Sequence, residues 1–150
     1  MASQKPSLSH LQLDIAEIEQ YFLSTEKALL SFYRRTNFEF ALYSPQELER
    51  ERQERLEELN KSTSLTILAA VEAHIMVNFV NRCLNREKDP LSKKFRTLFK
   101  NKGHEVQKIS LRNDILGLWK DHVNHKWVVS ELRAAIRYRH WLAHGRYFTD

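Results

Sequence analysis

The stretch Arg137-Tyr138-Arg139-His140-Trp141-Leu142-Ala143-His144-Gly145 sets two arginines, two histidines and two aromatic residues within a few positions of one another. No other part of the chain has this density of groups able to bind a phosphate and move a proton. Histidine titrates near neutrality and serves as general acid or general base. Arginine presents a planar fork matched to phosphate oxygens and does not lose its charge. Together these side chains suit cleavage of a phosphodiester with a neighbouring hydroxyl. Such a reaction needs the hydroxyl deprotonated, the charge on the phosphate neutralised and the departing oxygen protonated.

The element that must position these groups is a helix running from about Lys126 to His144. Its apolar positions are Val128, Leu132, Ala135, Ile136, Leu142 and Ala143, which recur at spacings of three and four and form the stripe of an amphipathic helix. Arg139 falls inside that stripe, while Arg137, His140, Trp141 and His144 lie on a neighbouring one. Gly145 is a natural stop just past the last turn. Arg139 and His144 are five residues apart, roughly 140° around an ideal helix. One helix alone therefore makes a poor site from this pair, whereas two copies packed across a two-fold axis bring both kinds of side chain to one cleft.

Arg139-His140-x-x-x-His144 resembles the R-x(4–6)-H signature, with a polar residue directly after the arginine, of HEPN domains. The motif spans six residues, and its setting on the final long helix of a small helical chain extends the likeness to most of the sequence. The resemblance implies an all-α, antiparallel bundle of about five helices and a homodimer whose facing motifs form a composite RNA-cleaving site. It implies a metal-independent endoribonuclease of the toxin or anti-phage defence type. On that reading His144 is general base or acid, Arg139 the phosphate clamp and His140 a supporting donor and second proton carrier. Arg137, Arg146 and Tyr147 are the expected RNA contacts. Attack by the 2′-hydroxyl predicts a 2′,3′-cyclic phosphate and a 5′-hydroxyl, with DNA inert. No metal and no cofactor is expected. Some relatives carry a tyrosine two residues after the histidine, where a nucleotidyltransferase partner modifies it. Arg146 occupies that position here and tyrosine follows at Tyr147, so this route of control by an antitoxin is weakened but not removed.

Taken in order, the chain opens with a loose tail over residues 1–8, and Ser9 is a candidate N-cap for a helix from about 10 to 35. The aromatic-rich segment Thr36 to Ser44 is a connection, expected to pack down. Ser44-Pro45-x-Glu47 announces a long helix to about Glu87. Its first part, Gln46 to Lys61, is heavily charged and reads as a solvated helix laced with ion pairs, continuing through Ser62-Thr63-Ser64. From Leu65 to Val80 the same helix is nearly all apolar, which predicts burial on most sides. Glu72 sits inside that apolar run and needs a partner, as Arg139 does in its own stripe, so the two are expected to pair. The pair either locks two helices together or holds the arginine fork ready for a phosphate. Asp89-Pro90 starts a helix to about Lys100, a turn at Asn101–His104 follows, and a further helix is expected from about Glu105 to Asp121. His122-x-x-His125 reads as polar connection rather than metal site, because no cysteine lies near and only Asp121 offers a carboxylate.

At 150 residues the chain is read as a single domain, 1–150. Its single cysteine, Cys83, excludes an internal disulfide and a cysteine-based zinc site, and fits a reducing cytoplasmic setting. No secretory signal and no apolar stretch long enough to span a bilayer is expected, and no membrane partner. Charge is divided unevenly. Residues 1–87 hold ten Lys and Arg against thirteen Asp and Glu, and residues 88–150 hold fourteen against six, giving net charges of −3 and +8. The basic half carries the candidate site, with Lys93, Lys94, Arg96, Lys100, Lys102, Lys108 and Arg112 leading to it, the electrostatic footprint of a nucleic-acid partner. The alternative from another class is a non-catalytic helical module that binds RNA or a protein partner.

Overall fold

The computed structural model describes residues 14–144. Of these, 79% are helical and none lie in strands, so the chain is all-α. Five α-helices follow one another: α1 (Ile15–Phe32), α2 (Pro45–Leu84), α3 (Pro90–Asn101), α4 (Leu116–Lys120) and α5 (Lys126–Ala143). By compactness the chain groups into two units, Leu13–Ala70 and another built from Val71 onward.

In the first unit α1 begins at Ile15, where the Asp14 carboxylate accepts the Ala16 N–H at 3.0 Å. The cap expected at Ser9 lies outside the described residues, and the helix stops at Phe32 rather than near 35. The connection to α2 holds a 3-10 turn, Phe38–Phe40, braced by ring contacts among Phe32, Tyr33, Phe40 and Tyr43. It is only partly packed down: Phe38 is 84% exposed and Leu42 99%. At the start of α2 the Ser44 N–H donates to Glu47 Oε2 (2.8 Å) and the Glu47 N–H to Ser44 Oγ (3.2 Å), a reciprocal capping box. Those bonds hold the Glu47 carboxyl below the usual carboxylate range. The expected ion pairs line the charged turns, joining Arg50 to Glu54, Glu49 to Arg52 and Glu57 to Lys61. Leu48 and Leu59 turn inward. The helix runs unbroken through Ser62–Ser64, where the hydroxyls of Ser62, Ser64 and Thr66 donate back to the Leu59, Asn60 and Ser62 carbonyls and so do not compete for the helix's own N–H groups.

The apolar part of α2 departs from expectation. Helix α2 is long and apolar enough, by length and composition, to cross a membrane, so the expectation of no such stretch is corrected. Only 22% of its apolar window is buried, not most of it. Apolar composition states that a surface needs covering, not that the same chain covers it.

In the second unit, Phe79, Val80 and Cys83 of α2 pack on Leu91, Phe95 and Phe99 of α3 and on Ile109 and Ile115. Asp89 caps α3 through the Ser92 N–H (3.0 Å), and its carboxyl is held below the ordinary range by the Ser92 bonds. Arg82 ties the corner together, reaching Asn78 Oδ1 (2.9 Å), Ser92 Oγ (3.0 Å) and Asp89 Oδ2 (3.2 Å). The helix expected from Glu105 to Asp121 is broken. A 3-10 turn, Val106–Lys108, ends at the buried Ile109, and Ser110 then starts a π-turn, Leu111–Ile115, that leads into α4. The break is local chemistry: Ser110 Oγ accepts the Asn113 N–H (3.1 Å) while the Ser110 N–H donates to Asp114 Oδ2 (2.8 Å). Helix α5 packs through Val129 and Ile136 against Leu116 of α4 and Ile75 of α2.

Burial pushes the Cys83 thiol up to about 11. At pH 8 the reactive thiolate is then a fraction of about one in a thousand. Labelling of Cys83 by a maleimide or disulfide reagent is therefore expected to be negligible in the native chain and to become rapid on denaturation. Fast native labelling at pH 8 is the result that would contradict this burial.

Candidate functional site

Arg139 points from α5 toward α2 and Glu72 points back, with Arg139 Nε 3.5 Å from Glu72 Oε1. The two polar residues set into apolar stripes thus meet. Both contacting atoms are sealed from solvent and neither has a hydrogen-bond partner among the described residues. The whole side chains remain 27% and 20% exposed, so neither residue is sealed beyond those two atoms. Glu72 therefore engages the guanidinium at its Nε edge, and a phosphate would be gripped by the terminal nitrogens of the fork.

His140 and His144 stand one turn apart at the C-terminal end of α5, both exposed, with ring planes at 6° and centroids 6.2 Å apart. The His144 N–H closes the helix on His140 O at 3.0 Å. Neither imidazole makes a hydrogen bond or ion pair with Arg139. The helical twist separates them as the spacing predicts, so within one chain the structure brings together Glu72 with Arg139 and His140 with His144, but not the two pairs with each other. Arg137 is exposed on α5. Gly145, Arg146 and Tyr147 lie outside the described residues.

A feature the sequence reading passed over is the stack of Tyr138 on Trp141, with ring centroids 5.5 Å apart and planes at 25°. Tyr138 is 44% exposed. An open aromatic face beside an arginine is a platform for a nucleobase. The signal was the pair of aromatics at i and i+3 near Arg137 and Arg139, which is equally the pattern of a core contact.

The remaining polar candidates take structural places. Asn78 accepts from Arg82 of its own helix. His122 Nδ1 donates to Leu118 O at 2.7 Å. Among the described residues no group of three or more His, Cys, Asp or Glu side chains is placed to hold a metal ion. A cavity of about 580 Å³ opens between α4 and α5, but its walls are mostly apolar, with Asn124 and His125 the polar residues among them and no arginine or lysine to hold a phosphate. In comparisons with known proteins, no family model, no curated protein and no solved structure matches the chain.

Proposed function

We propose that the chain is a metal-independent endoribonuclease, with Arg139 as phosphate clamp and His144 and His140 as the proton carriers. The observation that carries this reading is the Glu72–Arg139 pair. A carboxylate holds the sealed Nε edge of an arginine that is still partly exposed, and that arginine directly precedes an exposed histidine pair on the same helix. A preoriented guanidinium stabilises charge on a phosphate as it develops, without reorganisation at that moment. Two histidines supply a base and an acid in the same pH range. Because Arg139 and His144 diverge in one chain, the complete site takes two copies of it. The apolar part of α2 is mostly half-buried, with Ile67 exposed, and that partly open surface is available for such a pairing. The resemblance to HEPN domains adds the toxin or anti-phage defence setting, with an antitoxin or nucleotidyltransferase as a further partner.

The same divergence supports a second reading, a helical module that binds RNA or a protein and cleaves nothing. Incubating wild type and His144→Ala with total RNA in EDTA, then mapping the ends, separates the two. The expected result is cleavage by the wild type alone, leaving 2′,3′-cyclic phosphate and 5′-hydroxyl ends. Equal RNA patterns from both, or a chain that is monomeric at micromolar concentration, count against the composite nuclease.

A further inference from the structure

The cations leading from Lys93 to Arg112 are not equivalent once folded. Arg96 Nη1 donates to the Glu87 carbonyl, Lys102 lies 3.5 Å from Asp114, and Lys108 lies 2.7 Å from Glu105. Lys93, Lys94, Lys100 and Arg112 are exposed and make no ion pair among the described residues. Helix α3 contains no acidic residue, and its buried Leu91, Phe95 and Phe99 fix which face turns outward. That face is Lys93, Lys94, Thr97, Lys100 and Asn101, whose spacings of three and four make one continuous stripe. Lys93 and Lys100 are separated by a rise of about 10 Å.

Beside the stripe lies a cleft of about 480 Å³, with Lys94, Thr97 and Asn101 on one wall and Asn113, Gly117 and Leu118 on the other. Its one acid, Asp114, is already engaged, accepting the Ser110 N–H at 2.8 Å and facing Lys102. Gly117 is helical, and a Cβ built on it would meet nothing within 4 Å. Glycine weakens a helix relative to alanine, and packing does not require it here. What its bare backbone provides is room for a close approach to the cleft floor.

We propose that this face of α3 and α4 is a second RNA-binding surface, on which a strand runs along Lys93–Lys100 and a nucleotide seats in the cleft over Gly117. Lysines follow the phosphates, and the Asn101 and Asn113 amides reach sugar and phosphate oxygens. A protein partner is a poorer match, because protein interfaces are built on aromatic and arginine anchors and are depleted in lysine. A membrane is poorer still, since the stripe offers no apolar side chain to insert. The choice of RNA as occupant rests on the function proposed above, but its test does not depend on cleavage.

The probe is a labelled single-stranded 2′-O-methyl oligonucleotide, which lacks the free hydroxyl needed for cleavage, read by anisotropy over a salt series with the full chain. Lys93→Gln/Lys94→Gln/Lys100→Gln is expected to weaken binding at least tenfold at low salt. It should also flatten the slope of log K on log salt by about 2, three contacts at about 0.7 each. Gly117→Glu should weaken binding strongly and Gly117→Ala mildly, while Gly117→Ala should melt no lower than wild type, which establishes that the fold itself tolerates a Cβ there. Lys27→Gln/Arg34→Gln/Arg35→Gln removes the same charge from the other compact unit and should leave binding unchanged. Wild-type affinity and slope in the α3 triple variant overturn the proposal. So does equal weakening by the control triple, which would reduce the effect to net charge. So does absence of binding by the wild type, which would point to an acidic protein partner. Binding without cleavage by the wild type supports the surface and overturns the catalytic reading alone.

Discussion

Alanine in place of His144 is expected to lower RNA cleavage by about 10²- to 10⁴-fold, the range that a positioned general acid or base supplies. Fold and RNA affinity should stay at wild-type levels. The separation is clean because His144 is exposed at the end of α5 and, among the described residues, its one ring contact is the parallel ring of His140. Surface substitutions of that kind shift stability by no more than about 0.5 kcal/mol. Lysine in place of Arg139 probes the other half of the motif. It keeps the charge but gives up the fork, and a point charge cannot grip two phosphate oxygens in a fixed plane. Removing one such transition-state donor costs about 10²- to 10³-fold. The two losses should not add in the double variant if the groups act on one phosphate. Cleavage by His144→Ala within tenfold of wild type would remove histidine from the chemistry and leave the binding-module reading.

How much of this could be read from the chain depended on whether the deciding interaction was local. Helix α5 was legible to within a residue or so, because an amphipathic stripe and a glycine just past its end fix an element without help from outside it. The continuity of α2 through three hydroxyl residues was legible for the same reason, since hydroxyls that bond back to their own turn cost the helix little. The break at Ser110 was missed although its cause is also local. A serine whose hydroxyl caps Asn113 competes with helix continuation, and hydrophobic periodicity carries no trace of that competition. The burial of Leu65–Val80 was overestimated because composition records what a segment avoids, not what covers it. The Glu72–Arg139 pair was legible from a mismatch: an acid in one apolar stripe and a base in another each need the other. The sorting of the basic residues was not, because which lysines find carboxylates depends on tertiary placement: Lys102 faces Asp114, while Lys94 has no ion pair among the described residues.

Truncating Glu72 to alanine is expected to destabilise the fold by about 1–3 kcal/mol, because it leaves the sealed Arg139 Nε–H facing nothing. Breaking a fully buried pair costs about 3–5 kcal/mol. The smaller figure follows from the 27% and 20% exposure of the two side chains, which lets water screen the rest of the charge. For a chain of this size that corresponds to a fall in Tm of about 2–12 °C. Glu72→Leu/Arg139→Met should recover most of the loss, since apolar residues of similar volume replace a buried pair at little cost. That cycle measures the lock; the role in catalysis needs a different substitution. Glu72→Gln keeps the shape and a hydrogen-bonding oxygen but removes the charge that fixes the guanidinium edge. If Glu72 positions the fork, Glu72→Gln should melt close to wild type yet cleave at least tenfold more slowly, with kcat reduced and KM nearly unchanged, since the loss falls on the transition state. If the pair only joins α2 to α5, cleavage should follow stability and Glu72→Gln should be as active as wild type. The two outcomes separate because one acts on the folded enzyme's rate and the other on the fraction folded.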